Sequence, residues 1–155
     1  MRTVFSNKAA GCDNHMEQFG LSLYVNAWQQ HDHKLYVEYG STQSGCHKVS
    51  SLGQVPLGQW THVAVAMQPS SSAGEGFVAL YINGELASGS SAEGAPPHEV
   101  QSTSKMTVGR YLGNAYSLEG NITHFAVVHP RQTLTQSELS GVVRRVMDVA
   151  TTSSV

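Results

Sequence analysis

Trp60-Thr61-His62-Val63-Ala64-Val65-Ala66-Met67 is followed ten residues later by Phe77-Val78-Ala79-Leu80-Tyr81-Ile82, which runs straight into Asn83-Gly84. Both stretches alternate with a period of two, the spacing at which successive side chains leave a strand on opposite faces. In the first, Thr61, Val63, Val65 and Met67 share one face, while Trp60, His62, Ala64 and Ala66 share the other. Small residues on the second face predict that another layer packs closely against it. A large indole beside two methyl groups then predicts a buried, structural Trp60, and Trp28, at a polar turn, is expected to be more exposed. Asn-Gly readily takes the positive φ angles of a two-residue hairpin turn, so Glu85-Leu86-Ala87-Ser88 is expected to return as the partner strand.

The same period appears upstream. Leu21, Leu23, Val25 and Ala27 alternate with Ser22, Tyr24 and Asn26, and Leu35, Val37 and Tyr39 alternate with Lys34, Tyr36 and Glu38. Met106–Gly109 and Ile122–Val128 read as further strands. Short strands separated by Gly, Ser and Pro predict an antiparallel sandwich and not βαβ units. Residues 69–75 and 89–104 read as rim loops. Near the end the period changes: Thr135 and Glu138 form a capping box, and Leu139, Val142, Val143, Val146 and Met147 follow helical spacing. This predicts a helix of about three turns against the sandwich. One domain over residues 1–150 with a frayed tail over 151–155 is the expected organisation.

Composition narrows the function. The chain has 155 residues, 40% hydrophobic but only 13% charged, with a formal net charge of −2. That leaves no basic stripe for a phosphate backbone and no polybasic patch for a membrane surface. No apolar run approaches the roughly 18 residues of a membrane span. The opening Met1–Asn7 lacks the apolar stretch of a signal peptide, so a signal is expected upstream of it, or the chain is an excised piece. Cys12 and Cys46 are the main indication of compartment. Each stands beside a glycine, and a bridge between them would close a loop of about 35 residues and stabilise by roughly 3–4 kcal/mol. Two thiols that never meet are the alternative. The sequon Asn121-Ile122-Thr123 also points to a secretory-pathway glycoprotein.

The order of these pieces resembles a known family. Leu57-Gly58-Gln59-Trp60-Thr61-His62-Val63-Ala64 is similar to the "G-x-W-x-H-V-A" strand of laminin-G-like and pentraxin-like domains, which share the concanavalin A-like lectin/glucanase fold. Leu80-Tyr81-Ile82-Asn83-Gly84 resembles their "L-Y-I-N-G" hairpin, and Val108-Gly109-Arg110 their "I-G" strand. Gly120-Asn121-Ile122 with Leu134-Thr135-Gln136-Ser137-Glu138-Leu139 resembles the closing segment. Phe5–Lys8 and Gly20–Val25 fit the opening strands. The resemblance implies an all-β, jelly-roll-like antiparallel β-sandwich with a short C-terminal helix. No counterpart of a preceding "F-T-x-x-x-W" strand stands before Phe5, which points to a domain lacking its first strand. Thr123 and His124 replace the acidic pair that often follows "G-x-I", so no role of those acids is carried over.

Catalysis finds no residues. Glycosidases of this fold use clustered carboxylates, usually an "E-x-D-x-E"-like strand. Here Asp13 and Glu17 fall in a loop and Glu38 stands alone. There is no Gly-x-Ser-x-Gly elbow. Metal ligation is weighed at His31-Asp32-His33 and at Cys12, His15, Cys46 and His47, against a solvated turn and a simple disulfide. His62 reads as a packed residue. The resemblance leaves Ca²⁺ open as a cofactor, at the loops after Tyr39 and before Met106, but neither offers an aspartate. For ligand contact, Arg110, Tyr111, Asn114 and Tyr116 cluster in one loop, and Trp28 with Gln29 and Gln30 closes a strand. The alternative for both groups is that they cover the sandwich edge. The expected function is a non-catalytic recognition module for carbohydrate or an extracellular protein. The alternatives are an adhesion or structural domain without sugar specificity, and an accessory domain of a larger secreted or Golgi enzyme.

Overall fold

The computed structural model describes residues 1–8, 11–12, 19–41, 45–68, 76–88, 102, 104–111, 116–128 and 134–152. Among the described residues, two antiparallel sheets and one helix account for the regular structure. The larger sheet orders β4 (Gly45–Gln54), β3 (Lys34–Ser41), β2 (Gly20–Val25), β1 (Arg2–Ser6) and β8 (Thr107–Val108). The smaller orders β5 (Val63–Gln68), β6 (Phe77–Ile82) and β7 (Glu85–Leu86), and α1 spans Gln136–Thr152.

Alternation on the strands builds the layers. Leu23, Leu35, Val37 and Tyr39 from the larger sheet meet Val78 and Leu80 from the smaller, with Val63, Val65 and Met67 packed against them. The opposite face of the smaller sheet carries Ala66, Ala79 and Tyr81, and α1 closes over it through Leu139 and Val143. The layer expected above Ala64 and Ala66 is therefore the terminal helix. Its start is the capping box: the Thr135 N–H donates to Glu138 Oε2 at 2.7 Å and the Glu138 N–H donates to Thr135 Oγ1 at 3.3 Å. Arg144 Nε donates to the Gly84 carbonyl at 3.4 Å and fixes the helix to the β6–β7 turn. That turn has φ 51° at Asn83 and 76° at Gly84, as an Asn-Gly hairpin requires. A Cβ on Gly84 would also crowd the Met147 side chain at 3.1 Å.

Several expectations are corrected. Trp60 is 69% exposed, because the strand begins only at Val63 and the Gly58 turn precedes it, so strand alternation does not extend back to residue 60. Ala27 leaves the Leu21–Val25 face: φ of 66° at Asn26 reverses the chain and puts Ala27 with Tyr24 and Tyr36. Residues 122–128 form no strand and are exposed throughout, since no ladder partner lies beside them among the described residues. β4, whose Gly45–Gln54 sequence is largely polar, is the longest strand among the described residues, yet no strand was expected there. The helix is longer than three turns and runs through Thr152, and Val142 and Val146 line a shallow surface pocket with Arg145 and Val149 instead of entering the core.

Candidate functional site

One end of the sandwich gathers the β2–β3 turn, the β4–β5 connection and the β6–β7 turn. Hydrogen bonds join them. The Val55 N–H donates to the His33 carbonyl at 2.7 Å, and Gln54 Nε2 to the Asp32 carbonyl at 3.0 Å. The His62 N–H donates to Asn83 Oδ1 at 3.0 Å, and the Asn83 N–H to the His62 carbonyl at 2.8 Å. The tips of the first two segments face solvent: Trp28 (55% exposed), Gln29, Gln30 and His31 on one, Leu57, Gln59 and Trp60 on the other.

The β2–β3 turn holds a fixed shape. Asn26, Gln29 and His33 have φ of 66°, 59° and 56°, a left-handed conformation that non-glycine residues enter only when their surroundings enforce it. Asn26 Oδ1 accepts from the His33 N–H at 2.7 Å, and the Gln30 N–H donates to the Ala27 carbonyl at 3.0 Å. Asp32 accepts from the Lys34 N–H and from the Tyr36 hydroxyl. Burial works to raise the Asp32 carboxyl, but these hydrogen bonds outweigh it and leave the group below its ordinary value. Burial, with the Asp32 bond second, pushes the Tyr36 phenol up to about 12. Asp32 is thus engaged within its own turn, and among the described residues no group of three or more His, Cys, Asp or Glu side chains is placed to hold a metal ion. Across residues 26–33 and 55–62, Asp32 is the sole formally charged side chain with His neutral.

The second expected group divides. Arg110 is exposed and Tyr116 is 42% exposed, but Tyr111 is buried with its ring edge-on to Tyr116 at 6.3 Å, so it presents no face to a ligand. Burial pushes the Tyr111 phenol up to about 12, with Glu38 the next contributor. Asn114 lies outside the described residues. This loop is tied to β1 through the Thr3 N–H to the Tyr116 carbonyl at 3.0 Å.

The outer face of the larger sheet holds a polar cluster that sequence reasoning missed. Glu38 is 5% exposed and accepts from the Tyr24 hydroxyl at 2.7 Å and from the Cys12 N–H at 3.2 Å. Lys48 Nζ lies 3.7 Å from it and also sits over the stacked Tyr24 and Tyr36 rings. Lys8 is fully buried. The sequence signal was available: Ser22, Glu38 and Lys48 occupy matching positions on neighbouring strands, but only once the β2–β3–β4 register is known. Glu38 is the one acid in the five strands of this sheet.

Cys12 and Cys46 form a disulfide with a Cα–Cα distance of 5.2 Å, so neither sulfur serves as a zinc ligand. His15 lies outside the described residues, and His47 stacks on Tyr39. His62 is half-buried, and desolvation lowers its pKa. The loops after Tyr39 and before Met106, where the resemblance leaves calcium open, lie largely outside the described residues.

The two sheets and the helix define a β-sandwich domain. Residues 2–140 match the family model of the concanavalin A-like lectin/glucanases superfamily in its laminin-G form. The chain belongs to this laminin-G-like family. No curated protein and no solved structure gives a significant match. Domains of this kind are generally non-catalytic binding modules, although the superfamily includes glucanases.

Proposed function

We propose that the chain is a non-catalytic recognition module that binds carbohydrate across the Trp28–Trp60 rim. The observation that carries this reading is the pair of exposed indoles on two hydrogen-bonded loops at one end of the sandwich. Indole faces stack on the apolar C–H patches of a sugar ring, while Gln29, Gln30 and Gln59 offer amide donors and acceptors for hydroxyls. The near absence of charge suits a neutral ligand. A turn already held in its strained conformation loses little entropy on binding. Paired-carboxylate hydrolysis would need a second acid near Glu38, and the strands of that sheet carry none.

A glycan array run with and without EDTA tests the reading. Signal that survives EDTA is the expected result, because indole stacking and amide hydrogen bonds need no metal; silence together with retention of an extracellular protein would favour the second reading. Exposed Leu57 beside Trp60, and exposed Leu52 on β4, are what favour a protein partner.

The disulfide, the family and the exposed sequon fit an extracellular or secretory-lumen setting. Among the described residues no helix is long and apolar enough to cross a membrane. When the chain is made through a secretory pathway, Asn121 is expected to carry an N-glycan. Treatment with an N-glycan-releasing amidase should lower the mass of the parent and leave Asn121→Gln unchanged; equal masses before and after treatment of the parent would refute this.

A further inference from the structure

The two sulfurs of the Cys12–Cys46 bridge sit in opposite electrostatic surroundings. Lys8 Nζ lies 2.9 Å from Cys46 Sγ, and the Lys8 side chain is fully buried. Cys12 Sγ lies 3.4 Å from the His47 carbonyl oxygen, and its own backbone N–H is taken by the Glu38 carboxylate. A cation beside a sulfur favours its thiolate, whereas oxygen lone pairs and a nearby carboxylate oppose it. Lysine is rarely buried completely, and this one is placed against a sulfur.

We propose that this disulfide is a thiol-exchange site of fixed polarity, in which an incoming thiol is captured on Cys12 and Cys46 is released. The incoming thiol loses its proton to solvent, and its thiolate attacks Cys12 Sγ. The S–S bond breaks, its electron pair leaves on Cys46 Sγ, and the new bond joins Cys12 to the incoming sulfur. The Cys46 thiolate remains against the Lys8 ammonium. The better-stabilised thiolate is the faster leaving group, which sets the direction. Burial lowers the Lys8 pKa and Glu38 opposes that shift, so an anion formed beside the amine helps keep it protonated. Among the described residues, the charged and titratable groups around the bridge are Lys8 after β1, Glu38 on β3, and Lys48 and His47 on β4, with the His47 ring stacked on Tyr39. Exchange would also release the segment whose Cys12 N–H holds Glu38.

The test uses the intact chain and 2-mercaptoethanol, a neutral thiol, at limiting concentration with acid quench. Peptide mass spectrometry then locates the adduct. The expected result is Cys12 adduct in roughly tenfold excess over Cys46. Lys8→Met should even out that ratio and slow bridge opening. Because Lys8→Met could fail to fold, the parent is also reduced fully and alkylated across a pH series, where Cys46 should react at clearly lower pH than Cys12. Equal adducts, adduct mainly on Cys46, a ratio unchanged in folded Lys8→Met, or two thiols with the same alkylation profile would each overturn the proposal.

Discussion

Glu38→Ala is expected to destabilise the domain by about 3–5 kcal/mol, the cost typical of removing one partner from a buried charge arrangement. The carboxylate is the counter-charge for fully buried Lys8, and it takes up the Tyr24 hydroxyl and the Cys12 N–H. Truncation leaves a buried ammonium, a phenol and an amide to find other acceptors. In a chain of this length such a loss lowers Tm by roughly 10 °C or more. The double variant Lys8→Met/Glu38→Leu should recover a large part of it, because replacing both charges with apolar groups of similar size is often close to neutral. Thermal melts of the two single variants and the double complete the cycle. Additive losses would show that Lys8 and Glu38 do not act on one another.

Leu80→Ala is expected to cost a comparable amount, about 3–5 kcal/mol, for a different reason. Leu80 is fully buried in the middle of β6, in the cluster with Leu23, Leu35, Val37, Tyr39 and Val78. Its backbone is held to the Ala87–Ser88 segment, the N–H by Ser88 Oγ at 3.0 Å and the carbonyl by the Ala87 N–H at 2.7 Å, and Val65 of β5 pairs opposite it. The strand therefore has little freedom to collapse into the vacated space, and the cavity term adds to the lost burial. Urea unfolding of parent and variant should show a lower midpoint with an unchanged slope. A loss below about 1 kcal/mol would mean that the two sheets can close on the gap, and that their spacing is not set by this side chain.

The two predictions also mark where the sequence was legible. β6 and its hairpin could be read directly, because alternation of Val78, Leu80 and Ile82 against Ala79 and Tyr81 coincides with an Asn-Gly turn. The helix was legible for the same kind of reason: its cap and its spacing are local. Trp60 was misread because alternation was carried back from Val63 to residue 60, although the strand begins only at Val63 and face assignment depends on strand geometry. β4 escaped notice because its faces are barely amphipathic, with His47, Val49 and Ser51 alternating against Cys46, Lys48 and Ser50, and only its register with the hairpin neighbour β3 shows which side faces in. The Lys8–Glu38 cluster was invisible for that reason too. Each of its members comes from a different strand or segment, and only the register brings them together. For the candidate site, Trp28 with Gln29 and Gln30 was found in sequence, while its partner Trp60 was assigned to the core.

The most direct test of the rim is to titrate a glycan that scores on the array against the parent, Trp28→Ala and Trp60→Ala, with a thermal melt of each. Both indoles are exposed, so each variant should melt within about 2 °C of the parent, as surface changes usually cost no more than about 0.5 kcal/mol. Affinity should nevertheless fall at least roughly tenfold in each, the loss expected when an aromatic anchor is truncated. Parent-like affinity in both well-folded variants would contradict the account and place the binding surface elsewhere on the sandwich.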